Sequence, residues 1–200
     1  MTHITEHFPL IGTRDYIHST TLLAFLDRFQ PPGQPPASID LRLREKVLPG
    51  VRVLADGTRM QATAAASALI GGRWVNFVNA ETPAAATHVP DLFASFLPDI
   101  RQKDATTMLR PCITHPDDIW PRLVCAAKRH LEWHHIRPAA AQNASTVLLT
   151  RISCQKPDPA DFIFIKTEIT MDSRWFRLGI STEHHILGCI FGTALYRNEI

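Results

Sequence analysis

One amphipathic pattern occurs twice in this chain, and the repetition limits what it can fold into. Leu22, Phe25, Leu26 and Phe29 carry the i, i+3, i+4, i+7 spacing of one helix face. Trp120, Leu123, Val124 and Ala127 repeat that spacing 98 positions later, and Leu131 extends the stripe. Upstream, Arg14 and Ile17 match Arg110 and Ile113 at a shift of 96. Downstream, Lys46 and Pro49 match Lys156 and Pro159 at 110. Leu69-Ile70-Gly71 with Trp74 matches Ile186-Leu187-Gly188 with Phe191 at 117. The shift only grows, as it does when the second copy of a duplicated chain gains loop residues.

The surrounding signals agree with two helices. Ser19 or Thr20 is the expected cap of the first, because a hydroxyl oxygen can accept an orphan backbone N–H. Asp118 occupies Thr20's place in the second copy. The run QPPGQPP (30–36) stops the first helix. After each helix the period falls to two. Ile39, Leu41 and Leu43 alternate with Asp40, Arg42 and Arg44, and VRVLA and RWVNFV follow. STVLLTRISCQ, DFIFIKTEITM, RWFRLGIST and HHILGCIFGTALY read as strands in the second half. Each half is one helix followed by an antiparallel meander, with 1–97 and 98–200 as the two halves. Residues 81–105 form the connector, with a short helix expected in DLFASFL.

Composition excludes several classes. Hydrophobic residues are 45% and charged residues 20% of the 200 residues, with a formal net charge of +2. That is neither a disordered chain nor the basic balance of a nucleic-acid binder. No apolar run approaches the roughly 18 residues of a membrane span. The start has no signal-peptide pattern, and the four cysteines show no CxxC spacing. A cytoplasmic protein with reduced, mostly buried thiols is expected, with no metal and no cofactor. His130 and His134 lie four apart, but HLEWH places Glu132 one position later than the zinc-protease pattern needs. Both are expected at the margin of the helix stripe, half exposed.

A helix wrapped by a curved antiparallel sheet, with Leu48-Pro49-Gly50 and Asp158-Pro159-Ala160-Asp161 turning between the strands after each helix, resembles the hotdog fold. The tandem resembles the double-hotdog arrangement of fatty-acid and polyketide dehydratases and of some acyl thioesterases. The resemblance implies an α+β fold in which two helix-plus-antiparallel-meander halves form one continuous curved sheet. It also implies an enzyme on acyl thioesters linked to CoA or to an acidic acyl carrier protein, dehydratase-like or thioesterase-like, in secondary lipid or polyketide metabolism. A monomer of two fused halves and a homodimer both fit. His7-Phe8-Pro9 matches the start of the dehydratase motif HFPG, and His115-Pro116 matches the HP of polyketide dehydratases. Trp120 stands where those enzymes carry a helical acid, and TLLAF holds no carboxylate. A non-catalytic acyl- or carrier-protein-binding subunit is the alternative that follows. A third reading is an unrelated α+β lyase acting on a carboxylic acid.

Thioester dehydration needs a base, an acid and a donor for the carbonyl oxygen, and a helix start offers the last. The reactive groups are therefore sought just before each helix. His18 is the expected base, with Asp15 to orient it or act as acid. His115 and Asp118 are the second-half counterparts. Tyr16, Ser19, Arg14 and Arg110 are the expected substrate contacts. Arg101, Lys103, Arg110, Arg122, Lys128 and Arg129 give the second helix region a positive bias that would suit an acidic carrier protein. The Ala-rich stretch 60–68 would let a backbone or an acyl chain approach closely.

Overall fold

The structure is a computed structural model and describes residues 2–30, 38–57, 59–81, 85–134, 144–171 and 174–196. The proline-rich stop at 31–36 and His135 lie outside the described residues. Residue contacts divide the chain into two units, Met1–Leu92 and Phe93–Ile200, and the division falls within the expected connector.

The first unit contains β1 (Thr2–Thr5), β2 (Leu10–Ile11), α1 (Ser19–Leu26), β3 (Ile39–Leu43), β4 (Arg52–Gly57), β5 (Ala66–Ile70), β6 (Arg73–Val78) and β7 (His88–Val89). Its main sheet is antiparallel and runs β1-β4-β6-β5-β3. β2 and β7 form a small parallel pair. A single 3-10 turn, Asp27–Phe29, continues α1. Six of the eight residues of α1 are buried: Ser19, Thr20, Leu22, Leu23, Phe25 and Leu26. Phe25 sits edge-on to Phe8 at 5.1 Å and to Phe77 of β6 at 6.0 Å, and this aromatic cluster joins helix to sheet.

The second unit contains α2 (Phe93–Phe96), β8 (Ile100–Lys103), β9 (Thr106–Leu109), α3 (Ile119–His134), β10 (Ala144–Cys154), β11 (Ile163–Met171), β12 (Trp175–Ser181) and β13 (Ile186–Tyr196). Its sheet runs β10-β13-β12-β11-β9-β8, antiparallel throughout. α3 lies against β9 and β11. Trp120, Leu123, Val124 and Ala127 are fully buried, so the repeated stripe is the core face here as well. Phe176, Leu178 and Ile180 point inward, as their alternation predicts. The short helix expected in DLFASFL is α2. β8 and the turn that follows it, however, occupy the end of what reads as connector. That turn is made on Asp104, whose φ is +52.

The two units are alike but not identical. β11, β12 and β13 follow one another as neighbours, whereas β6 sits between β4 and β5. The repeat match at shift 117 sets the end of a strand and its turn against the start of a strand. Gly71 and Gly72, with φ of +53 and +79, make the tight turn between β5 and β6. Gly188 instead lies inside β13 against β10, where a Cβ would strike the carbonyl of Ser153. The match at shift 96 breaks too. Ile17 is 3% exposed and Ile113 is 73% exposed.

The Ala-rich stretch is irregular up to Ala65, and β5 begins only at Ala66. Ala64, Ala65, Ala66 and Ala68 are buried, and the carbonyl of Ala65 accepts from the amides of Arg44 and Glu45 at 2.9 and 3.1 Å. Small side chains here admit neighbouring backbone. Among the described residues no helix is long and apolar enough to cross a membrane.

Substitution at the mismatched isoleucines separates core from surface. Ile17→Ala lowers unfolding free energy in urea by about 2–5 kcal/mol. Ile113→Ala changes it by less than about 0.5 kcal/mol.

Candidate functional site

α1 starts on a histidine. His18 has extended backbone, φ −74 and ψ 150, and its side chain accepts the amide N–H of Thr20. That N–H lies 3.3 Å from Nδ1, and the Thr20 hydroxyl lies 2.9 Å from the same nitrogen. Ser19 and Thr20, expected as caps, are instead the first two helical residues. Nδ1 reaches the second helical N–H as an Asn or Asp side-chain oxygen does. The His18 carbonyl also accepts from Thr21 and Leu22, at 3.0 and 3.2 Å. An Nδ1 that accepts leaves the proton of a neutral ring on Nε2. His18 is 4% exposed and Ser19 8%.

The residues just before α1 are held by other partners. The amide of Ile17 donates to the Val47 carbonyl at 2.7 Å, which pins this segment to the residues ahead of the Leu48-Pro49-Gly50 turn. Asp15 is exposed and takes Lys46 Nζ at 3.2 and 3.1 Å on its two oxygens. That hydrogen bond from Lys46 holds the Asp15 carboxyl below its ordinary range, aided by a backbone N–H. Asp15 is thus a carboxylate at neutral pH and no proton donor. Lys46 also lies 5.4 Å above the ring of Tyr16. Arg14 bonds Asp91 at 2.8 Å and the Ile11 carbonyl at 3.0 Å. His7 is exposed beside buried Phe8.

The start of α3 is built differently. A 3-10 turn, Pro116–Asp118, precedes the helix, with His115 in the capping position and no side-chain cap bond. His115 is exposed and Asp118 half-buried, and the Asp118 amide donates to the His115 carbonyl at 3.1 Å. The amide of Cys112 donates to the Pro159 carbonyl at 2.7 Å, so this segment too is pinned to the turn after the first strand. Arg110 is exposed, and its carbonyl accepts from Arg122 at 2.8 Å.

Three buried polar groups escape a sequence reading. His130 is fully buried, not half exposed, because its face of α3 meets β9 and β11. Thr107 lies 2.9 Å from its Nδ1 and Thr167 2.9 Å from its Nε2, so two hydroxyls satisfy the ring. Arg122 is 2% exposed and belongs to no solvated basic face. It donates to Asp99 at 3.0 Å, while its buried Nε has no partner. Asn76 accepts from the hydroxyl of Ser67 at 2.8 Å and from the amide of Gln61 at 3.0 Å. Polar residues inside an apolar pattern were the available signal. Burial pushes the thiol of Cys154 up to about 12, which makes it a poor nucleophile. Among the described residues no group of three or more His, Cys, Asp or Glu is placed to hold a metal.

No family model and no curated protein matches the chain. Solved structures do. A putative thioesterase II from Thermobifida fusca YX shares 11% identity at a TM-score of 0.51, over 97% of this chain and 91% of its own. The bifunctional dehydratase-cyclase domain in ambruticin biosynthesis shares 11% at 0.52, over 92% and 84%. A protein described as having a hot dog fold, from Alicyclobacillus acidocaldarius, shares 12% at 0.40, over 91% and 87%. At such identity the likeness is one of fold. The chain is α+β, of the hotdog fold.

Replacing Lys46 with Met removes the ammonium from Asp15. The Asp15 carboxyl, followed by carbon-detected NMR titration, then moves up toward the ordinary value of 3.8. An unchanged titration contradicts the pairing.

Proposed function

We propose that this protein is an enzyme acting on acyl thioesters, dehydratase-like or thioesterase-like, with its chemistry at the helix starts. The observation that carries the reading is the capped imidazole of His18. A neutral histidine whose Nδ1 is engaged presents an N–H at Nε2, and burial strengthens any hydrogen bond it makes. In this reading His18 is a proton donor rather than the base its ordinary pKa suggested. The amide of Ser19, at the positive end of the α1 dipole, is the donor for a thioester carbonyl oxygen. Arg14 and Tyr16 are proposed substrate contacts flanking this start. In the second unit, the start of α3 offers a candidate place of its own, with Asp118 as its acid–base group, His115 beside it and Arg110 as a contact for an anionic group.

In dehydration, a base takes the proton alpha to the carbonyl, and the donor returns a proton to the departing hydroxyl, which leaves as water. In hydrolysis, water adds to the carbonyl carbon and the thiol leaves. The thioesterase and dehydratase-cyclase of like fold support this substrate class. Two observations favour the second reading, a non-catalytic acyl- or carrier-protein-binding subunit. Trp120, fully buried, fills the position of the helical acid, and His18 is almost wholly covered.

A panel of 3-hydroxyacyl, enoyl and saturated thioesters, followed by mass spectrometry, tests the proposal. Loss of water or release of free acid is expected, and His18→Ala lowers the rate by about 100-fold or more. His18→Asn, which can still cap α1, controls for helix stability. No turnover of any member, or turnover untouched by both variants, overturns it. Binding without turnover supports the second reading.

A further inference from the structure

The outer face of the second unit's sheet carries a row of cations that the helix-start chemistry does not use. Register places Lys103 opposite Thr106, and Thr106 opposite Lys166, across β8, β9 and β11. One row back, Arg101 faces Met108, Met108 faces Phe164, and Phe164 faces Ser181 of β12. Directly opposed residues share a face. Alternation sets this face against the one covered by α3, since neighbouring Thr107 and Thr167 reach His130. A cleft of about 350 Å³ opens here, lined by Lys103, Thr106, Met108, Phe164, Lys166 and Ser181 among others.

Two features give the cleft a chemical preference. Among the described residues, Arg101, Lys103 and Lys166 form no ion pair, while Glu168, further along β11, is taken by Arg177. Asp104, at the hairpin turn, is the one carboxylate of the lining and pairs with neither lysine. Like charges gathered on one face without partners repel, and an anion between them relieves this. Beside the cations lie the hydroxyls of Thr106 and Ser181, both acceptors and donors. The floor is Met108 and Phe164, half-buried and apolar.

We infer that this cleft binds a phosphate monoester with a short apolar tail. The two lysines and the Thr106 hydroxyl hold the phosphate, and the tail lies on Met108 and Phe164. An inorganic ion leaves the floor unused, and a neutral alcohol leaves the cations unpaired. The ester is free or is a lipid headgroup, and the phosphate chemistry is shared. The inference is independent of the acyl-thioester reading, because none of these residues lies at a helix start.

Hexyl phosphate is the probe, titrated into the full chain and followed by amide NMR, with hexanol and inorganic phosphate as comparisons. Hexyl phosphate is expected to shift the amides of Thr106, Phe164 and Ser181 and to bind more tightly than either comparison. The double variant Lys103→Gln, Lys166→Gln weakens it at least tenfold. Both lysines are exposed, and the variant's amide spectrum verifies its fold. Phosphatidic-acid vesicles form the second arm. Co-sedimentation lost in the double variant assigns the ester to a lipid, and hexyl phosphate binding without co-sedimentation assigns it to a free small molecule. No shift at the three amides, or equal affinity in the double variant, overturns the inference.

Discussion

In each unit one main helix must bury its apolar stripe on an antiparallel sheet, and the rest of the structure follows from that constraint. α1 has eight residues, short of the roughly 12–15 that a helix needs to persist alone in water. It exists because Leu22, Leu23 and Leu26 are fully buried and Phe25 locks onto Phe8 and Phe77. Burying such a side chain contributes about 1.5–3 kcal/mol. With the helix fixed, its first residue is fixed as well, and His18 is held where its ring meets the Thr20 amide.

Packing a helix this closely also draws polar groups inside, and each then needs a partner. His130 finds two threonine hydroxyls, Asn76 finds Ser67 and backbone, and Arg122 finds Asp99 and the Arg110 carbonyl. An unmade bond at such a site costs about 1–3 kcal/mol. The buried Nε of Arg122 has no partner. His18 differs from these residues. One of its partners is the helix's own first turn, so the ring caps the helix through Nδ1.

Much of this architecture was legible in the sequence. The 3.6-residue stripes at Leu22 and Trp120 and the alternation at Ile39 and Phe176 report burial directly, because buried faces repeat. Short elements carry no such pattern. β2 and β7 have two residues each, and the hairpin β8–β9 is built from IRQK and TTML, which do not alternate cleanly. Ser and Thr are the common caps, and a histidine ring reaching the same N–H leaves no local signature. The helix starts were found as places. The roles there depended on partners far along the chain. Lys46 claims Asp15 and Asp91 claims Arg14, and neither pairing follows from spacing.

The capped imidazole is therefore the most direct point of attack. Nitrogen-15 NMR of the ring of His18, assigned by comparison with His18→Asn, reports which nitrogen bears the proton. The account predicts a bare Nδ1 and a protonated Nε2 at neutral pH. A proton on Nδ1, or a ring already cationic there, contradicts it.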